Sequence, residues 1–206
     1  MTMRTRLTAF GALAAAGLVI GTVTGAPAGA AVRASASPAF LSAAQLPPHP
    51  TSSWTAGKVT GGVPEQLLLC FPETFAGYDS RYREFRTDLD TNARQLTVVV
   101  KDEAKAKSLA ARLNKELKKC ATTVEQSNPG TDAEVRDYGT LPVEEGAHVY
   151  GLHTTTSFGA DDVRLLSVGR DGHAVTVVEW AALGDFTAAP VSAFKKTTTT
   201  AVNKLY

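Results

Sequence analysis

Two cysteines, two methionines and four histidines are all that 206 residues provide, and each scarcity removes a class of chemistry. Cys70 and Cys120 have no Cys or His neighbour at metal-ligand spacing, so a zinc site has too few donors. The methionines, Met1 and Met3, and the sole isoleucine, Ile20, fall in the first 30 residues. The remaining core must be assembled from Val, Leu, Ala and aromatic side chains. Charge of one sign is also missing. With 21 basic and 20 acidic residues, and no long basic stripe, nothing recommends a nucleic-acid partner. At 44% hydrophobic and 20% charged the chain has globular proportions, which excludes wholesale disorder. Its length suits one domain.

The recurrent catalytic signatures are absent too. There is no G-x-S-x-G elbow, no H-E-x-x-H, no P-loop, and no G-x-G-x-x-G after a strand. His49 lies in a proline-rich loop. His148 and His153 stand five apart in one strand, which sends them to opposite faces and prevents a shared metal. His173 sits at a hairpin turn. A triad of Ser157 or Ser167 with His173 and Asp161 or Asp162 has no supporting spacing. The acid pairs Glu144–Glu145 and Asp161–Asp162 read as solvated loop acids, with a cation site as the alternative. Trp54, Trp180, Tyr150 and Phe158 serve either as core or as the lining of an apolar cleft. These residues give no catalytic set, no metal site and no cofactor, and leave the ligand-binding residues unassigned.

What is present begins with a leader. Arg4 and Arg6 precede an uncharged stretch from Leu7 to Val23, and Ala28-Gly29-Ala30 offers the small-residue spacing a signal peptidase reads. A second such site, Ala34-Ser35-Ala36, leaves the cut open between Ala30 and Ala36. We therefore expect a signal peptide over 1–30, a short linker over 31–37 and one domain over 38–206. The product is extracellular, with no membrane span after cleavage. In an exported protein an even cysteine count reads as a disulfide, Cys70–Cys120. Closing a loop of that length contributes at most about 4 kcal/mol in the chain-entropy picture.

Ser37-Pro38 predicts a helix start, with Phe40, Leu41 and Ala44 on one face and Pro47-Pro48 as its stop. Residues 47–63 read as a loop, and 64–71 as a helical turn presenting Cys70. Strands are expected at 82–88, 95–100, 134–138, 147–154, 163–168 and 174–180, with a turn over Asp90–Ala93. An Asp171-Gly172 turn between the last two would set Arg164 opposite Glu179. Ala106, Leu109, Ala110, Leu113 and Leu117 recur at helical spacing behind an Asp102 cap, predicting a helix over 103–119. Lys115, Lys118 and Lys119 then complement its C-terminal dipole on a solvated face, with an anion site as the alternative. A last helix runs over 190–205, where the Thr197–Thr200 run needs packing to hold it. The fold class is α+β: an antiparallel sheet of about five or six strands, two helices on one face, one disulfide.

The segment Phe40–Pro47, Cys70, the helix Ala104–Lys119 ending on Cys120, the hairpin Val163–Trp180 and the helix Val191–Leu205 together resemble the PknH-like extracellular domain family. These are sensor domains of actinobacterial receptor kinases, also found alone in exported proteins. The resemblance spans most of 38–206 and lies in order and spacing. It implies a sheet with packed helices that binds an extracytoplasmic ligand in a cleft, generally without catalysis. Members carry more than one disulfide, whereas this chain allows one. With no kinase and no second apolar span, the resemblance implies a free secreted relative. The partner would be a small molecule or envelope component. Two other functions stay in view: a secreted protein that binds another exported protein, and a small secreted hydrolase on a motif-poor site.

Overall fold

The computed structural model describes residues 37–206. The expected leader, both cleavage sites and all but Ser37 of the linker lie outside the described residues. The sheet has eight antiparallel strands, β1 (Thr55–Ala56), β2 (Thr60–Gly61), β3 (Ser80–Arg86), β4 (Asn92–Val99), β5 (Thr131–Leu141), β6 (Ala147–Thr156), β7 (Asp161–Asp171) and β8 (Ala174–Leu183). Their spatial order is β1-β3-β4-β8-β7-β6-β5, with β2 also paired to β3. The count exceeds the expected five or six because β1 and β2 are two-residue strands in the segment read as loop.

Two α-helices cover the sheet, α1 (Glu103–Ser127) and α2 (Val191–Val202). They lie on opposite faces, which corrects the one-face expectation. Leu166 and Val168 of β7, with Val175 and Val177 of β8, pack under Leu109, Leu113 and Leu117 of α1. The alternate residues Val163, Leu165, Val178 and Trp180 pack against Phe194 and Ala201 of α2. Central strands buried on both faces read as continuous apolar runs, so their sequence does not say where each helix sits.

Helix α1 is capped as expected: the Asp102 carboxylate accepts the Lys105 amide at 2.8 Å. It continues past Cys120 because Val124 is also buried on the stripe, and it ends at Asn128-Pro129-Gly130. Lys115, Lys118 and Lys119 are consequently mid-helix, and the last turn holds no basic residue. Their expected interaction with the C-terminal dipole does not arise.

The Ser37-Pro38 helix is replaced by extended chain and a 3-10 turn over Ala43–Gln45. Two backbone amides hold the extended part, Ala39 N–H donating to Lys204 O and Leu41 N–H to the side-chain Oε1 of buried Gln95. A second 3-10 turn, Glu65–Leu69, presents Cys70, which is bonded to Cys120 across a Cα separation of 4.9 Å. Helix α2 keeps its threonines by burying Thr197 and Thr198. The Thr198 hydroxyl donates to Ser167 Oγ and the Thr197 hydroxyl to Gln45 O.

The β7–β8 hairpin pairs Asp171 with Ala174, so its two-residue turn is Gly172-His173 and not Asp171-Gly172. Arg164 then faces Ala181, yet it still reaches Glu179 diagonally at 2.7 Å. Arg94 on the other neighbouring strand faces the same carboxylate and ion-pairs with it. Gly169 marks a close approach. A Cβ there would collide with Val202 Cγ2 and press on Ala147 Cβ at 3.2 Å. Gly169→Ala is expected to destabilise the domain by about 1–3 kcal/mol through overpacking. Urea unfolding checks this, and an unchanged midpoint would deny the contact between α2 and β7.

Candidate functional site

On the α1 face a concavity of about 260 Å³ opens between α1 and strands β5 to β7. The helix supplies Lys107, Ala110 and Asn114, whose i, i+3, i+7 spacing borders the buried stripe Ala106–Leu109–Leu113. The sheet supplies Thr140 from β5, His148 from β6 and Arg170 from β7, and Glu145 comes from the β5–β6 loop. Period-two alternation in β6 puts His148, Tyr150 and Leu152 on this face and His153 on the other.

A bulge sets the local chemistry. Pairing of β5 with β6 slips between Asp137 and Gly139, where Gly139 adopts φ +88°. The Asp137 carboxylate accepts the Gly139 amide at 2.8 Å and meets His148 Nε2 at 2.5 Å. That contact with His148 is the main reason the Asp137 carboxyl is held below its ordinary range. The His148 ring stacks on Tyr150, centroids 4.4 Å apart and 9° from parallel. Burial, with Asp137 nearby, pushes the Tyr150 phenol up to about 12.

Across the opening, Glu145 accepts the Gly172 amide at 2.9 Å and lies 3.6 Å from Arg170. Asn114 donates to Ala110 O at 2.8 Å, which leaves its buried Oδ1 without a partner among the described residues. The site thus combines two cations, Lys107 and Arg170, the His148 imidazole held by Asp137, the Glu145 carboxylate engaged by Gly172 and Arg170, and one free acceptor. Its chemical capacity is to hold a small anion that also carries a hydroxyl or N–H.

The Tyr150 hydroxyl is likewise buried and unpartnered among the described residues. Removing it deletes no hydrogen bond, so Tyr150→Phe should leave stability unchanged or raise it by up to about 1 kcal/mol. The sign with pH follows. The unfolded phenol ionises near pH 10 and the folded one near 12, so this tyrosine's contribution is lost as pH rises through that interval. Urea unfolding across that interval, with phenolate absorbance, should show a larger loss in wild type than in Tyr150→Phe, in which the Tyr206 phenol, also pushed up by burial, still contributes.

The other residues singled out in the sequence have ordinary partners. His49 Nδ1 accepts the Thr51 and Ser52 amides. His153 faces Phe186 and Asp161. His173 hydrogen-bonds the Tyr206 hydroxyl at 2.7 Å. Ser167 is bound to Thr198 and Asp161 to Thr155, so the candidate triad is not assembled. Trp180 and Tyr150 belong to the core and the half-buried Trp54 packs against it, whereas Phe158 is 84% exposed. No three His, Cys, Asp or Glu gather as a metal site among the described residues. Also among them, no helix is long and apolar enough to cross a membrane. A second concavity, also about 260 Å³, lies between the 37–40 segment and the chain end, lined by Asp79, Arg81, Thr97 and Tyr206 among others.

Asp137 and Asn114 were not singled out in the sequence. The Asp-Tyr-Gly run at 137–139 is the signal for the first, since an Asp two residues before a Gly favours the turn that makes the bulge.

No family model and no curated protein matches the chain. Solved structures similar to it include two mycobacterial proteins. One is the extracellular domain of PknH from Mycobacterium tuberculosis, 15% identical, TM-score 0.48, covering 71% of this chain and 84% of that one. The other is a putative uncharacterized protein, an Rv0999 ortholog, from Mycobacterium smegmatis, 12% identical, TM-score 0.41, covering 76% and 90% respectively. The first carries the name of the family that the sequence resembles.

Proposed function

We propose that the mature chain is an exported, disulfide-bridged domain that binds a small hydroxylated anion between α1 and β5–β7 and releases it unaltered. The observation that carries this reading is the convergence of Lys107, His148 and Arg170 on a concavity that also holds the free, buried Asn114 Oδ1. A carboxylate or phosphate monoester supplies the charge, and its hydroxyl donates to Asn114. The volume sits at the small end of ligand sites, which selects compact molecules over lipids or polymers. Export is supported by the leader sequence and the disulfide, and the sensor-like role by the family resemblance.

Release without reaction is supported by the His148 contacts. Its Nε2 is taken by Asp137, and no hydroxyl or thiol hydrogen-bonds to it among the described residues, so no side-chain nucleophile stands beside it for activation. A thermal-shift screen of sugar acids, hydroxycarboxylates and phosphate monoesters tests the proposal. At a hundredfold excess over Kd a binder adds about 2.7 kcal/mol, or about 5–10 °C in Tm for a domain of this size. Product analysis of each hit should return the ligand intact. Turnover of a hit would move the protein to the hydrolase reading.

A further inference from the structure

Three large apolar side chains stand out from the surface, Phe158 at 84%, Leu183 at 59% and Leu89 at 58% exposure, and all three lie at the same end of the sheet. Leu89 is in the β3–β4 loop and Leu183 ends β8; the two are joined where the Leu183 amide donates to Asp90 Oδ2 at 3.2 Å. Leu183 pairs with Asp162 on β7, and Phe158 tips the adjoining β6–β7 turn. Aspartates surround them: Asp88 and Asp90 in the loop, Asp161 and Asp162 at the start of β7, and Asp185 after β8. The cations of this end are mostly engaged. Arg94 and Arg164 are ion-paired with Glu179, and Arg86 remains exposed.

Three large apolar side chains left exposed at one end of the sheet offer contact points for a partner, and the surrounding charge selects what fits them. An anionic lipid surface recruits Lys and Arg and repels five aspartates. A two-fold dimer through this end would set the same acidic surface against itself. We propose that this end docks a polypeptide segment of another exported protein, one in which apolar side chains alternate with Lys or Arg. The apolar side chains would cover Leu89, Leu183 and Phe158 while the cations meet the aspartates. This surface is separate from the α1–β6 concavity and does not depend on it.

The test uses the mature protein and a short synthetic peptide alternating leucine and lysine, followed by fluorescence anisotropy. Binding should weaken about tenfold or more in Phe158→Ser/Leu183→Ser, with the melting temperature unchanged because both side chains are exposed. Asp88→Asn/Asp90→Asn should weaken it as well and flatten its salt dependence, whereas Glu65→Gln/Glu73→Gln, at acids elsewhere, should not. Equal affinity in all variants would overturn the proposal. So would equal binding of a peptide with serine in place of leucine. Binding of phosphatidylglycerol vesicles, or self-association, lost in the Phe158/Leu183 variant would overturn it in favour of a membrane or a second copy.

Discussion

Glu179→Ala is expected to destabilise the folded domain by about 3–5 kcal/mol, the range for removing one partner from a buried charged cluster. Glu179 is 1% exposed and Arg94 5%. One carboxylate oxygen receives Arg94 and the other receives Arg164 at 2.7 Å. Arg94 also donates to Asn92 Oδ1 at 2.8 Å, but both Nε–H groups lack partners among the described residues. One carboxylate therefore holds two guanidinium groups, and its loss strands positive charge in the sheet. The same physics gives a contrast. Replacing the cluster by apolar residues of similar volume, as in Arg94→Met/Arg164→Met/Glu179→Leu, should cost far less than the single change. Urea unfolding of both variants measures the difference. A Glu179→Ala midpoint equal to wild type would show that the cluster is not desolvated.

Removing the disulfide ranks next. Cys70→Ala/Cys120→Ala should lose about 2–4 kcal/mol. The bridge closes a 50-residue separation that contains β3, β4 and most of α1, so the cut frees a large part of the denatured ensemble. Both cysteines are buried in the cluster that includes Leu67, Phe71 and Leu117, so the variant also loses some packing. Unfolding wild type with and without reductant separates the two effects, since reduction breaks the bond but keeps the sulfur atoms. Identical midpoints with and without reductant would mean that the bridge constrains nothing the core does not already hold.

The parts of the fold that are legible in the sequence are those written locally. The Asp102 cap and the Leu109–Leu113–Leu117 stripe define α1, and the turn residues mark the hairpins, although the β7–β8 turn lies one residue later than its Asp-Gly pair suggests. Two cysteines behind a leader-like segment give the bridge. What escapes depends on partners distant in sequence. Arg94 meets Glu179 only through the β4–β8 register, so the pairing visible from the hairpin, Arg164 with Glu179, is half of the cluster. The unbroken apolar runs of β7 and β8 conceal that α1 and α2 cover opposite faces. The extra turns of α1 follow from Val124, whose burial requires β5 and β6 to be in place. The candidate site is hidden for the same reason. His148 looks like an ordinary strand histidine until the bulge at Gly139 brings Asp137 to it, and Asn114 looks like a solvated helix residue until α1 is laid across β6 and β7.

Binding of a small anion in the α1–β6 concavity is the central claim, and isothermal titration of the best thermal-shift hit tests it most directly. The account predicts saturable binding at one site, weakened about tenfold or more by Arg170→Gln and by Lys107→Gln, each of which removes a charge-assisted contact. Asp79→Asn/Arg81→Gln, in the second concavity, should leave the affinity unchanged, and the ligand should be recovered intact. Affinity untouched by the Arg170 and Lys107 changes but lost in Asp79→Asn/Arg81→Gln would contradict it.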